Sequence, residues 1–132
     1  MRFRDVLDTL KAELDFLELG GYDHALGAPW RPAFIFEDSP TCMNFRKPVH
    51  ADCMGCPLLS FVPEERRNEP SPCRFIPLND RGQTLNYLYS ACSQAKTVET
   101  VREWLKATIA SLEDAARKET PSAPQDGRYA GL

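Results

Sequence analysis

The chain has 132 residues, a formal net charge of -3 and an isoelectric point near 5.4. This length predicts a single domain, and the acidic balance argues against bulk attraction to nucleic acid or to an anionic membrane surface. No apolar run approaches the ~18 residues of a membrane span, and the charged N-terminus is unlike a secretory signal. We therefore expect a cytoplasmic protein in a reducing compartment, where structural disulfides are disfavoured. The odd count of five cysteines agrees with that expectation.

Residues 3–19 are predicted to form an amphipathic helix. Gly20 and Gly21 are expected to end this helix, because glycine adopts the left-handed conformation of a helix C-terminus at little cost. The apolar residues recur at three- and four-residue steps, as on one face of a helix: Phe3, Val6, Leu7, Leu10, Leu14 and Leu17. The charged residues are assigned to the opposite face: Asp8, Lys11, Glu13, Asp15 and Glu18.

Residues 22–80 form a segment rich in proline, with nine of the eleven prolines of the chain. Proline removes a backbone donor and disfavours helix for the residue before it. Three short pieces with β-like composition lie between the prolines, at 33–37, 59–62 and 74–76. We predict a sheet of two or three short strands. Such a small sheet is marginal by itself, so another element is expected to help order the segment.

A second helical region is predicted from 84 to 118, because an apolar stripe at helical spacing continues through it. One long, bent helix is favoured over two helices joined near Lys96, with Thr97 as the new N-cap. Its apolar surplus suggests cover for the cysteine-rich segment, or an interface with a partner protein or a second copy. The expected architecture is α+β, with the two helices antiparallel in a single metal-binding domain over 1–119. Residues 120–132 are expected to form a flexible tail.

Four of the five cysteines lie between positions 42 and 73: Cys42, Cys53, Cys56 and Cys73. Two residues separate Cys53 from Cys56, a spacing that lets both sulfurs face one centre from a tight turn. Gly55 relaxes this turn and Pro57 stiffens its exit. Thiolates at this density, in a chain without an apparent export signal, are typical of a metal or cluster site. We therefore predict that all four sulfur atoms converge.

Two inorganic centres fit four thiolates. Zinc forms closed tetrahedral structural sites and would staple a poor core directly. A [4Fe–4S] cluster tolerates irregular ligand spacing and favours an apolar shell. The neighbouring residues are mostly apolar, which favours the cluster: Met43, Phe45, Met54, Pro57, Leu58, Leu59, Phe61 and Phe75. The predicted function is a small iron–sulfur protein that carries electrons or senses redox state for a partner protein.

Two other interpretations remain open at this stage. A structural-zinc interaction module is the first alternative. A thiol oxidoreductase that uses Cys53 and Cys56 is the second, and it requires a lowered cysteine pKa. His50 is a possible substitute ligand, whereas Cys92 falls on the apolar stripe and is assigned to packing. No residues for substrate turnover are recognisable, so an enzyme is not the favoured class.

Overall fold

The computed structural model describes residues 3–23, 30, 33–42 and 53–119. His50 and the predicted tail at 120–132 lie outside these ranges. The described residues contain three α-helices, α1 (Phe3–Glu18), α2 (Leu85–Ala91) and α3 (Gln94–Glu119). Between α1 and α2 they form four 3-10 helices, at Cys53–Gly55, Pro57–Phe61, Glu64–Arg66 and Pro72–Phe75. None of these helices combines the length and the apolar character that a membrane span requires.

The predicted sheet is wrong, because no strand occurs in the described residues and the fold there is helical. The piece at 33–37 is a tight turn, in which Phe36 has φ 69° and the Glu37 N–H donates to the Ile35 carbonyl at 2.8 Å. The pieces at 59–62 and 74–76 overlap the 3-10 helices Pro57–Phe61 and Pro72–Phe75. Each of these helices begins with proline, whose fixed φ suits a first helical position. Composition typical of strands reflects packing on a sheet surface, and these pieces have no such surface.

Helices α1 and α3 pack antiparallel and bury most of the apolar stripe of each. The direction follows from two ion pairs, since Lys11 lies 2.8 Å from Glu113 and Glu18 lies 3.4 Å from Arg102. The side chains buried on the two helices are apolar with two exceptions, Glu13 and Thr97: Val6, Leu10, Glu13 and Leu17 on α1, and Thr97, Val101 and Leu105 on α3. Ile109 and Leu112 pack against the same core and are partly buried. The predicted apolar surplus of the C-terminal helix is therefore largely used within the chain.

The region predicted as one long helix is two helices, α2 and α3, separated at Cys92 and Ser93. Cys92 has an extended conformation, with φ -132° and ψ 163°. The Ser93 hydroxyl then accepts a hydrogen bond from the Lys96 N–H at 3.1 Å, which makes Ser93 the N-cap of α3. The cap therefore lies before Thr97, whose side chain is buried and donates to the Ser93 carbonyl at 2.9 Å.

Two tyrosine hydroxyl groups hold the turn at 33–37 against the helices. The Phe36 N–H donates to the Tyr22 hydroxyl at 2.9 Å, and the Ile35 N–H donates to the Tyr89 hydroxyl at 2.8 Å. Tyr22 follows α1, and Tyr89 belongs to α2. Consecutive buried backbone donors are thus satisfied by side chains instead of by a strand partner. This turn leads directly to Cys42.

Candidate metal centre

A cavity of about 300 Å³ lies between α1, the segment 33–42 and the 3-10 helices. All four cysteines predicted as ligands line it, namely Cys42, Cys53, Cys56 and Cys73. They come from three separate stretches of the chain. The structure therefore brings together at one cavity the residues that the sequence nominates.

The local backbone explains how each cysteine reaches the cavity. Cys42 follows the turn, and its N–H donates to the Ser39 carbonyl at 3.0 Å. Cys53 begins a 3-10 turn that the Cys56 N–H closes on the Cys53 carbonyl at 2.9 Å. Cys56 caps the following 3-10 helix, and Cys73 is the second residue of the helix Pro72–Phe75. Tight 3-10 turns, rather than strand ends, present the sulfur atoms.

The cavity wall combines apolar and polar side chains. Its apolar lining comprises Phe34, Phe36, Leu58, Leu59 and Pro72. The polar side chains of the lining are Thr9, Glu37, Asp38, Thr41, Ser71 and Arg74. Apolar residues limit water around a metal centre and strengthen its electrostatic interactions. Among the described residues, Leu58 and Leu59 are the predicted apolar neighbours that line the cavity, and six polar side chains share its wall. The wall is therefore more polar than the sequence predicts.

An ion pair closes the wall beside Cys73. The Arg74 guanidinium contacts Glu37 through two nitrogens, at 2.6 Å from Nε to Oε2 and 3.0 Å from the terminal nitrogen to Oε1. Ser71 donates a further hydrogen bond to Glu37 at 3.2 Å. The guanidinium also lies 4.8 Å from the centre of the Phe34 ring. This two-point contact ties the 3-10 helix that carries Cys73 to the turn that leads to Cys42.

The thiol groups lie close enough to influence one another. Burial raises the pKa of Cys56, and the neighbouring Cys42 and Cys53 raise it further. Burial also raises the pKa of Cys73 well above its ordinary value, and Glu37 and the other three cysteines add to this rise. Each thiolate would place negative charge beside the others in a partly dry cavity. Burial and neighbouring charge therefore favour the neutral thiols of Cys56 and Cys73, and a bound cation would offset the cost of their thiolate forms.

The raised pKa values bear on thiol exchange. A redox-active CxxC pair needs at least one thiol with a lowered pKa, because the thiolate is the attacking species. Cys56 shows the opposite shift. All five cysteines lie in the described residues, and each is present as a thiol. The raised pKa therefore makes Cys56 poorly suited to be the attacking thiol of such a pair.

The sulfur atoms share the cavity without closing around a point. Among the described residues, no group of three or more His, Cys, Asp or Glu side chains converges closely enough to hold a single metal ion. Tetrahedral zinc has Zn–S distances of about 2.3 Å and would require the sulfur atoms to approach one another closely. A cluster of several iron and sulfide atoms fills more space than one ion. Four thiols are the donor set that either centre uses.

The sequence interpretation missed three residues that form hydrogen bonds with the segment 33–42, which leads to Cys42: Glu13, Tyr22 and Tyr89. Glu13 was assigned to the polar face of α1, yet its side chain is 0% exposed. A signal was present, since Glu13 lies between Leu10 and Leu17 at the three- and four-residue steps of the buried stripe. Burial raises the pKa of Glu13, while hydrogen bonds from Ser39, Thr41 and Tyr22 oppose that rise.

Cys92 lies apart from this cavity. It is the C-cap residue that follows α2, is partly buried, and packs against the apolar core. Its place agrees with the packing role expected from the apolar stripe. A cysteine-to-serine substitution at Cys92 can therefore serve as the control for the same substitution at a predicted ligand.

No protein-family model, curated protein or solved structure matches this chain.

Proposed function

We propose that this chain is a small iron–sulfur protein, in which Cys42, Cys53, Cys56 and Cys73 bind a [4Fe–4S] cluster. One observation carries the proposal: four cysteines from three stretches of the chain line a single cavity of about 300 Å³. Such a cluster takes four thiolate ligands and would supply a one-electron redox centre. The protein would hold the cluster, limit its contact with water and set its reduction potential.

The wall of the cavity supports the cluster over a bare thiol site. Phe34, Phe36 and Leu58 provide an apolar boundary, and the raised pKa of Cys56 and Cys73 indicates that uncompensated thiolates are costly there. A cationic centre removes that cost, because the ligands lose their protons when the metal binds. The proposed role is that of an electron carrier or redox sensor for a partner protein.

Structural zinc is the second candidate function. Residues 53–75 form only short 3-10 helices in the structure, the longest of which is Pro57–Phe61. Segments of this kind are often ordered by a metal, and zinc with four thiolates serves that purpose. The cavity would then contract around one ion, and the protein would act as an interaction module. Both functions use the same four cysteines, so metal analysis decides between them.

The experiment is anaerobic purification of the whole chain, followed by measurement of iron, acid-labile sulfide and zinc per chain. The cluster proposal expects four iron and four sulfide atoms per chain and a brown colour. One zinc per chain in colourless protein would select the interaction module instead. Protein that takes up neither metal, even after reconstitution with iron and sulfide, would contradict both proposals.

Matched serine variants test the ligand assignment. Cys53→Ser is expected to lose most of the bound metal, because it removes a ligand from the cavity. Cys92→Ser is the control, since Cys92 lies at the end of α2. Its metal content is expected to match that of the unaltered protein. Equal metal loss from both variants would contradict the assignment of the four ligands.

A partner and a location complete the proposal. An electron carrier or redox sensor requires a protein that receives its signal, and the outer face of α3 or a second copy of the chain is proposed for that contact. A reducing, cytoplasmic location is proposed because the cysteines must remain thiols until the metal binds. Light scattering of the metal-loaded protein would detect a second copy as a doubled mass.

A further inference from the structure

The carboxylate of Glu13 is buried and contacts the segment 33–42, which ends at Cys42. The fully buried polar side chains of the described residues are Glu13, Ser39 and Thr97. Two of these three, Glu13 and Ser39, belong to one hydrogen-bond network with Tyr22 and Thr41. A buried carboxyl group is costly unless its oxygen atoms accept hydrogen bonds. The position of this group therefore needs an explanation beyond the packing of α1.

The two carboxylate oxygens of Glu13 hold two points of the segment 33–42. The Tyr22 hydroxyl donates to Oε2 at 2.5 Å and accepts the Phe36 N–H at 2.9 Å. The Thr41 hydroxyl donates to the other oxygen, Oε1. One side chain on α1 thereby fixes both the middle and the end of the segment 33–42.

Cys42 comes directly after the residue that Glu13 holds. The Thr41 N–H donates to the Ser39 hydroxyl at 3.2 Å, and the Cys42 N–H donates to the Ser39 carbonyl at 3.0 Å. These contacts leave the backbone little freedom between Ser39 and Cys42. The position of the Cys42 sulfur atom is thus linked to α1 through Thr41.

The turn itself would not hold this conformation without support. Phe36 has φ 69°, and the Glu37 N–H closes a three-residue turn on the Ile35 carbonyl at 2.8 Å. A turn of this type with a bulky residue at its centre is rare and strained. Strained backbone persists only where the surroundings determine it. Glu13 helps to hold this conformation, because it accepts a hydrogen bond from the Tyr22 hydroxyl, which in turn accepts the Phe36 N–H.

We propose that Glu13 is a positioning residue that holds the Cys42 thiol at the cavity through Thr41, so that all four sulfur atoms face the centre before it binds. The significance of Cys42 as a ligand rests on the proposed function, whereas the link from Glu13 to Cys42 does not. A glutamine at this position has one oxygen where the carboxylate has two. It would therefore leave either Tyr22 or Thr41 without an acceptor.

The first test uses metal-free protein and measures how fast iodoacetamide alkylates Cys42, by peptide mass spectrometry. Thr41→Val removes the hydroxyl donor and keeps the side-chain shape, and Glu13→Gln removes one acceptor. Each variant is expected to raise the Cys42 rate about fivefold, the change that corresponds to the loss of one hydrogen bond. Thr41→Ser restores the hydroxyl and is expected to restore the original rate. Cys92 serves as the internal reference.

Thr97→Val is the control for a general loss of stability. Thr97 is also buried, but its hydroxyl donates to the Ser93 carbonyl at the start of α3. This variant is expected to lower the free energy of unfolding and leave the Cys42 rate unchanged. An equal rise in Thr97→Val would show that Glu13 acts only through the stability of the fold, and would overturn the proposal. An unchanged Cys42 rate in Thr41→Val would overturn it as well, even if Glu13→Gln fails to fold.

The second test repeats the set after reconstitution with iron and sulfide and measures the rate of iron release to a chelator. Thr41→Val is expected to release iron faster than the unaltered protein, and Thr41→Ser at the original rate. If the unaltered protein binds no metal while Thr41→Val still exposes Cys42, the proposed function fails and the positioning role stands. If the unaltered protein holds its metal and Cys42 reactivity never changes, the positioning role alone fails.

Discussion

The helix pair α1–α3 and the segment that carries the cysteines share one apolar core but differ in how far they depend on directed polar contacts. In the helix pair, apolar side chains such as Leu10 and Leu105 are fully buried between two continuous helices. In the cysteine segment, the 3-10 helices are short, and backbone N–H groups that donate to the Tyr22 and Tyr89 hydroxyls fix the turn before Cys42. This segment also buries apolar side chains, such as Ile35, Phe36 and Ile76, so it combines area removed from water with a small number of directed contacts.

We therefore expect the stability of the helix pair and the local order of the cysteine segment to respond to different substitutions. Loss of apolar area between α1 and α3 is expected to weaken the whole molecule, because Leu10, Val101 and Leu105 are fully buried there. Loss of one polar anchor is expected to act first on the turn at 33–37, which depends on the hydroxyl groups of Tyr22 and Tyr89. A bound metal would act on the cysteine segment. The predictions below test this separation, beginning with the largest expected effect.

The first prediction concerns the helix pair α1–α3. Leu105 is 0% exposed on α3, so Leu105→Ala would leave a cavity between the helices. We expect the free energy of unfolding, measured with urea, to fall by about 2–5 kcal/mol. Glu103 is exposed on the same helix, so Glu103→Ala is expected to change the free energy of unfolding by less than about 0.5 kcal/mol. Similar losses from both variants would mean that α3 does not pack as described.

The second prediction concerns metal removal. If a centre binds the four cysteines, its removal is expected to raise amide hydrogen exchange across residues 53–75 about tenfold, which corresponds to about 1.4 kcal/mol. Residues 98–112 of α3 are expected to keep their protection, because Val101 and Leu105 stay buried without the metal. Mass spectrometry of peptides from the loaded and metal-free protein measures both regions. Equal deprotection of both would show that the metal stabilises the whole fold rather than the site.

The third prediction concerns a polar anchor. Tyr89→Phe removes the hydroxyl that accepts the Ile35 N–H at 2.8 Å and leaves this backbone donor without its partner. A loss of about 1 kcal/mol in the free energy of unfolding is expected. Tyr87→Phe is the matched control on the same helix, because Tyr87 is 49% exposed. No measurable change is expected from it, and a loss as large as that of Tyr89→Phe would argue against the anchor.

The same division decides what could be predicted from sequence. A helix was expected over 3–19, and α1 spans Phe3–Glu18, because burial along a helix imposes a regular spacing on apolar residues. The end of α2 was missed because Ser93 is a local capping signal inside an apolar stripe that continues through it. Periodicity averages over several turns and does not register a break of two residues.

The cysteine segment shows the opposite case. Its four candidate ligands could be nominated from residue type and spacing, and the structure places these cysteines around one cavity. Its backbone could not be predicted, because pieces such as 33–37 have the composition of strands while contacts distant in sequence decide their shape. Phe36 is held at φ 69° partly by Tyr22, fourteen residues away. That partner does not follow from local propensity, and the burial of Glu13 was signalled only by its position in the apolar stripe of α1.

The smallest effect is expected at the ion pair that closes the cavity wall. Arg74 contacts Glu37 at two points, and its side chain is 31% exposed, so water screens part of the attraction. Arg74→Lys keeps the charge but loses the two-point geometry and the stacking on Phe34, and we expect a loss of about 0.5 kcal/mol. Arg117→Lys at the exposed pair with Asp114 is the control, and urea unfolding at low salt measures both. If the two variants behave alike, the pair contributes charge alone, and the geometry that ties Cys73 to the turn at 33–42 has no energetic role.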